Sequence, residues 1–180
     1  MFRQVSPKEK KAINNALQEV CEMTAGELWP NTSMIVVHRK QNHVFIIGPQ
    51  VLDLLETIWK NKDQITDLSL ELACKEAGIL TRSGFRIGIE VLYELAPYIR
   101  DKFTVNEAGE ESFLFGNGIE LKNVLNFPKN LTKGRRAIVF SQRKYPLGLV
   151  QIKGLPENGD TTKPFAINLI DYAYYLRSGG

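Results

Sequence analysis

Two cysteines in 180 residues, with no Cys-x-x-Cys pair, exclude a disulfide scaffold and a cysteine-based zinc or redox motif. Cys21 and Cys74 read as small apolar residues of a reduced protein. Two histidines, His38 and His43, are too few for a zinc site without further ligands at a recognisable spacing. No apolar run approaches the ~18–20 residues that span a bilayer. The opening residues, Met1 to Lys11, lack the apolar stretch of a signal peptide. The expectation is therefore a soluble, intracellular protein. Gly-x-Ser-x-Gly elbows and Gly-rich phosphate loops are missing too. Gly116-Asn117-Gly118 resembles the start of a dinucleotide fingerprint, but the third glycine and the later acidic residue are absent. It reads better as a tight backbone turn. The carboxylates Glu71, Glu76, Glu110 and Glu111 read as surface groups. No enzyme activity, cofactor or metal is expected.

A second absence is more informative. Between Glu120 and Glu157 there is no carboxylate at all, while Lys122, Lys129, Lys133, Arg135, Arg136, Arg143, Lys144 and Lys153 supply eight cations. The whole chain carries only +3. Residues 1–98 hold eleven Lys+Arg against twelve Asp+Glu, net −1, and residues 99–180 are net +4. Once folded, such a run makes a positive surface, and a positive surface attracts polyanions.

What is present reads as α+β. Ser6-Pro7-Lys8-Glu9 opens a helix with a capping box. Ala12, Ile13, Ala16, Leu17, Val20 and Cys21 give it one apolar face, and Gly26 is the expected stop. Ser33–Val37 and His43–Ile47 read as a hairpin. Val51, Leu54, Leu55, Ile58 and Trp59 mark a second helix after Pro49. Leu68 to Leu80 is read as strand, Phe85–Ile89 as another, and Val91–Leu95 as a short helix ended by Pro97. The expected domains are a mixed α/β unit over 1–98, with an antiparallel sheet and helices, and a strand-rich unit over 99–180. In the second, Lys102–Val105, Ala137–Ser141, Leu147–Ile152 and Phe165–Leu169 are strands. Glu107–Glu110 is a turn, and Asp171 caps a last helical turn with Tyr174, Tyr175 and Leu176. Short strands closed by a small helix suggest a small barrel.

Several of these segments resemble a known family. Glu111-Ser112-Phe113-Leu114-Phe115-Gly116-Asn117 looks like the entry to a PUA domain, a small RNA-binding pseudobarrel. Tyr145-Pro146-Leu147-Gly148, reached through a strand ending at Ser141, is similar to its Pro-Leu-Gly element. Asp171-Tyr172-Ala173-Tyr174-Tyr175-Leu176-Arg177 is similar to its C-terminal Asp-x-Gly-x-Tyr-x-Arg element. Ser69-Leu70, Phe85-Arg86-Ile87 and Leu95-Ala96-Pro97-Tyr98 follow the order of the Nip-seven family. That resemblance implies a C-terminal PUA-type pseudobarrel over 99–180. It also implies a non-catalytic nuclear and nucleolar factor of pre-rRNA processing and large (60S) subunit assembly. Its partners would be single-stranded or pre-ribosomal RNA and, through the N-terminal domain, pre-60S assembly factors and exosome subunits. The chain would act as a monomer away from membranes. The alternative is a PUA-containing specificity subunit of an RNA-modifying enzyme.

Candidate RNA contacts come from the chain's own charge run. Lys122 follows the Gly116-Asn117-Gly118 turn, whose amides can face a phosphate. Arg135 and Arg136 lead into a strand, where adjacent residues point to opposite faces, so one of them is expected to face RNA. Lys163 and Arg177 lie near the last strand and helix. Tyr172, Tyr174 and Tyr175 offer stacking surfaces, although Tyr175 is expected in the core.

Overall fold

A computed structural model describes residues 2–60, 74–126, 132–154 and 161–177, with the backbone alone for Trp59, Tyr175 and Leu176. The chain divides into two compact units. The first comprises Met1–Leu17 and Met23–Val91, the second Gln18–Glu22 and Leu92–Gly180.

The first unit is a five-stranded antiparallel sheet in the order β1-β2-β3-β4-β5 (Phe2–Gln4, Ser33–His38, Asn42–Ile47, Lys75–Thr81, Gly84–Ile87). Ile35 pairs with Phe45 and Val36 with Val44. Ile35 and Val36 are both buried. Adjacent strand residues point to opposite faces, so both faces of the sheet are covered. That is why these strands read as unbroken apolar runs. Helix α3 (Pro49–Lys60) packs Val51, Leu52 and Leu55 against Ile35 and Ile47.

Helix α1 (Pro7–Cys21) begins as expected. Ser6 N donates to Glu9 Oε2 at 2.9 Å, and Glu9 N reaches Ser6 Oγ at 3.4 Å. Arg3, on β1, adds a two-pronged contact to the same carboxylate at 2.6 and 2.7 Å. This holds the Glu9 carboxyl down at about 2, with Arg3 the main cause and Ser6 adding to it. The tie therefore contributes stability above the ordinary value near 4.5, and loses it as pH falls toward 2. Solvent screening of Arg3 limits the contribution to about 1 kcal/mol. Glu9→Gln should lower the urea midpoint at pH 7, and the difference from wild type should shrink steadily below pH 4.5.

Two elements of this unit differ from expectation. Gly26 does not stop α1. The helix ends at Cys21, where Glu22 turns left-handed at φ 60°, and Gly26 lies inside a further short helix, α2 (Ala25–Leu28). Thr24 N and Oγ1 donate to Glu27 at 2.7 and 2.8 Å, so a second Thr-x-x-Glu cap restarts the helix. Strand β1 was also unforeseen. It is three residues long, too short to show a period. Of the expected 68–80 strand, β4 covers the end from Lys75, and residues before Cys74 lie outside the described ones.

In the second unit, six strands run in the order β7-β11-β10-β9-β6-β8. They are β6 (Lys102–Val105), β7 (Ile119–Glu120), β8 (Val124–Asn126), β9 (Arg136–Phe140), β10 (Pro146–Ile152) and β11 (Pro164–Asp171). β6 lies parallel to β9, and the other pairs are antiparallel. Three inter-strand spacings separate β6 from β11, roughly 14 Å if the sheet were flat. Yet the Phe103 and Phe165 rings lie 5.5 Å apart. The sheet therefore curls into a nearly closed barrel around Val105, Phe113, Val139, Val150 and Ala166.

The Glu107–Glu110 turn expected here is instead the first turn of a helix, α5 (Glu107–Leu114). Asn106 caps it by accepting from Gly109 N at 2.8 Å, and Glu107 and Glu110 suit its positive end. Phe113 drops from this helix into the barrel, fully buried. Below it passes Gly148. A Cβ there would lie 2.2 Å from the Ile170 carbonyl oxygen and 2.8 Å from the Phe113 ring. The Pro-Leu-Gly element is thus a packing requirement, the point where β10 slides between α5 and β11. Short helices α4 (Leu92–Leu95) and α6 (Tyr174–Arg177) complete the second unit.

Candidate nucleic-acid interface

The C-terminal end of α5 is the best-organised polar site of the second unit. A helix leaves its last carbonyls without internal partners, and here side chains from the chain's end supply them. Asn168 Nδ2 donates to the Phe113 carbonyl at 2.9 Å, and Arg177 Nη1 donates to the Leu114 carbonyl. Arg177 also forms a fork onto Asp171, at 3.0 Å to Oδ1 and 2.6 Å to Oδ2. Asp171 is fully buried and takes further bonds from Asn168 Nδ2 at 2.8 Å and Ala173 N at 2.9 Å. The carboxylate holds the Arg177 guanidinium above its ordinary range. Gly116, at φ 92°, lies against the guanidinium's remaining edge: a Cβ there would meet Arg177 Nε and Nη2 at 3.3 Å. The Gly116 turn, β11 and α6 are thereby locked to one another.

Two depressions flank this knot. One is lined by Phe115, Gly116, Asn168, Leu169, Tyr174 and Arg177. Phe115 stands 68% exposed at its rim. The other, with a volume of about 630 Å³, lies between Glu107, Glu110, Glu111 and Leu114 of α5 and the β9–β10 turn. Ser141 builds that turn. Its buried hydroxyl accepts from Tyr145 N at 3.2 Å, its own N–H donates to the Tyr145 carbonyl at 2.9 Å, and Lys144 adopts φ 63°. Gln142, Arg143, Lys144 and Tyr145 are consequently all thrust outward.

The expected site residues distribute as follows. Gly116 and Arg177 come together in the knot, with Asn117 beside them bonding Ser112 Oγ at 3.3 Å. Lys122 lies 2.7 Å from Glu120. Arg135 Nε lies 2.9 Å from buried Asp101, near in distance but off the angle of a good hydrogen bond. Arg136 pairs with Glu19 at 3.1 Å. Lys163 is exposed just before β11, and Lys129 lies outside the described residues. Lys122, Arg135, Arg136 and Arg177 thus each face a carboxylate. By contrast Lys133, Arg143, Lys144 and Lys153 form no ion pair among the described residues. Arg143 and Lys144, members of the charge run but not among the expected contacts, and Tyr145 and Phe115, which carry no charge, are the further candidates. The signal for the first three was in the sequence, an aromatic interleaved with cations ahead of Pro146. Tyr172 is 44% exposed, and partial burial together with nearby Tyr93 raises its phenol, which stays protonated at neutral pH. The Tyr175 side chain lies outside the described residues. No group of three or more His, Cys, Asp or Glu able to hold a metal ion occurs among the described residues.

Residues 101–180 match the family model described as UPF0113 PUA domain. The 60S ribosome subunit biogenesis protein NIP7 of Saccharomyces cerevisiae is 27% identical, over 98% of this chain and 96% of that protein. The chain is similar to NIP7 proteins over its whole length. A NIP7 homolog of Danio rerio is 32% identical over 52% of this chain and 54% of its own length. Among solved structures, a conserved PUA domain protein from Thermoplasma acidophilum covers 99% of both chains with a TM-score of 0.55 at 15% identity. That likeness bears on the fold, which is mixed α/β with antiparallel sheets and a PUA-type barrel. In this chain the Asp171–Arg177 knot gives the C-terminal element a structural task, and Gly148 gives one to the Pro-Leu-Gly element.

Proposed function

We propose that the chain is a non-catalytic RNA-binding factor in large (60S) ribosomal subunit assembly, acting in pre-rRNA processing in the nucleolus. One observation carries this reading: the match to a yeast protein named for 60S subunit biogenesis runs the length of both chains. The PUA-type unit supports RNA as the ligand. Arg143 and Lys144, with no carboxylate partner among the described residues, flank a 61% exposed Tyr145, which pairs phosphate attraction with a stacking surface. Phe115 offers a second stacking surface across the α5 end. Lys122 is also a contact on this reading: its side chain is half-exposed, with the ammonium 2.7 Å from Glu120. Pre-60S assembly factors and exosome subunits are the protein partners of the same reading.

The test is fluorescence anisotropy with a uridine-rich single-stranded RNA and the full chain. If about four phosphates are neutralised, log K should fall with log salt at a slope of about −3, and affinity should drop roughly 50-fold between 50 and 200 mM. Arg143→Ala with Lys144→Ala should shallow that slope by about 1.4, at roughly 0.7 per contact. Absence of binding at 50 mM salt would overturn the RNA reading in favour of a protein-binding adaptor.

A further inference from the structure

The near-neutral charge of residues 1–98 hides a local concentration at one end of the first unit. There the amino end of α1, the β2–β3 turn and the β4–β5 turn enclose an open cavity of about 830 Å³, within the range of ligand clefts. Three cations line it, one from each element: Lys8, Lys40 and Arg82. His38 joins them from the end of β2. All four side chains are exposed, and Lys8, Lys40 and Arg82 form no ion pair among the described residues.

The carboxylate in the wall does not cancel this charge. Glu9 is already paired with Arg3 in the two-pronged contact and accepts from Ser6, so its charge is offset by Arg3 and not by Lys8, Lys40 or Arg82. The other polar lining is uncharged: Gln41, Asn42 and Thr81. His38 is oriented as well. Its Nδ1 lies 2.8 Å from Asn42 Oδ1, which fixes the ring at the cavity wall. Ala12 and Leu80 are the sole apolar side chains in the wall, too few to seat a hydrophobic peptide.

We propose that this cavity is a second RNA contact, taking two neighbouring phosphates and a ribose of single-stranded RNA. The site has the chemistry for it. Arg82 supplies a planar fork, Lys8 and Lys40 supply point charges, and a hydrogen-bonding imidazole stands beside them. This inference rests on RNA being the ligand of the chain, and the test separates the two claims.

The experiment uses the full chain, a uridine-rich RNA and the exposed double variant Lys40→Ala with Arg82→Ala. Both side chains sit in turns and make no bond among the described residues that a substitution would remove. The wild-type slope of about −3 should shallow by about 1.4, so the 50-to-200 mM loss falls from roughly 50-fold to roughly 7-fold. Inorganic pyrophosphate titrated into the unmodified chain should shift the NMR signals of the His38 ring, and should not shift them in the variant. RNA binding with an unchanged slope in the variant overturns this second site while leaving the function standing. No RNA binding by wild type overturns the function itself, and the second contact with it. A glutamate-rich peptide that shifts His38 where RNA does not would overturn the RNA assignment and mark the cavity as a protein-docking site.

Discussion

Replacing Gly148 with alanine should lower the melting temperature of the second unit by on the order of 10–20 °C. The added carbon would sit 2.2 Å from the Ile170 carbonyl oxygen and 2.8 Å from both the Asp171 Cα and the Phe113 ring. Two of those three neighbours are backbone, so no rotamer change relieves the clash. Either β10 and β11 separate or α5 lifts from the barrel. Overpacking a core costs about 1–3 kcal/mol even where side chains can yield, and here they cannot. In a domain of this size each kcal/mol moves the midpoint by about 4–8 °C. The register already slips at this point, between Pro146 and Gly148 against β9 and between Leu149 and Val150 against β11. The control is Gly48→Ala in the first unit, where a Cβ would meet nothing within 4 Å. Calorimetry on both variants decides the matter. A Gly148→Ala midpoint within 2–3 °C of wild type would contradict the packing role.

The second large effect is expected at Arg177. Its removal would strand the Asp171 carboxylate in a fully buried position, with Asn168 and the Ala173 amide as its remaining partners. A buried charge that loses its counter-ion is strongly destabilising, so Arg177→Ala should melt well below wild type. Arg177→Lys should recover only part of the loss, because an ammonium cannot span both carboxylate oxygens and the Leu114 carbonyl as the planar fork does. The informative readout is RNA binding by the folded Lys variant. If Arg177 positions the Gly116 turn and does not itself touch RNA, affinity falls while the salt slope stays the same. If it touches a phosphate, the retained charge of lysine keeps most of the affinity, and Arg177→Ala shallows the slope by about 0.7.

Much of this fold was legible in the chain because its local signals agree with its tertiary demands. The Ser6–Glu9 cap, the β2–β3 hairpin, α3 after Pro49, the Arg143–Pro146 turn and the final helical turn all appear as read. The failures came where a glycine carried two meanings. Gly26 and Gly109 read as punctuation, yet each lies inside a helix whose start is fixed by a neighbouring cap, Thr24 with Glu27 and Asn106. The site was less legible for a different reason. Charge can be counted in a sequence, but its neutralisation cannot. Glu19, Asp101 and Asp171 lie outside the carboxylate-free stretch, and folding carries them to Arg136, Arg135 and Arg177. Conversely, the cations of the first unit were hidden in a near-zero sum, and only the meeting of three turns and termini gathers them.

The Phe103–Phe165 contact also sets the order in which the chain can mature. β6 adds to the sheet beside β9, more than thirty residues later, and the rings that close the barrel stand about sixty positions apart. Such distant pairings are slow to form, because the loop entropy is lost before the contacts reward it. During synthesis the first sheet has all five strands once Ile87 has emerged, whereas the barrel waits for β11 and for Arg177 to lock onto Asp171. Until then Phe103, Val105 and Phe113 have no interior to enter. The nascent second unit is therefore the part of the chain most dependent on chaperone protection, and a ribosome stalled before Pro164 would display an unfinished, aggregation-prone sheet.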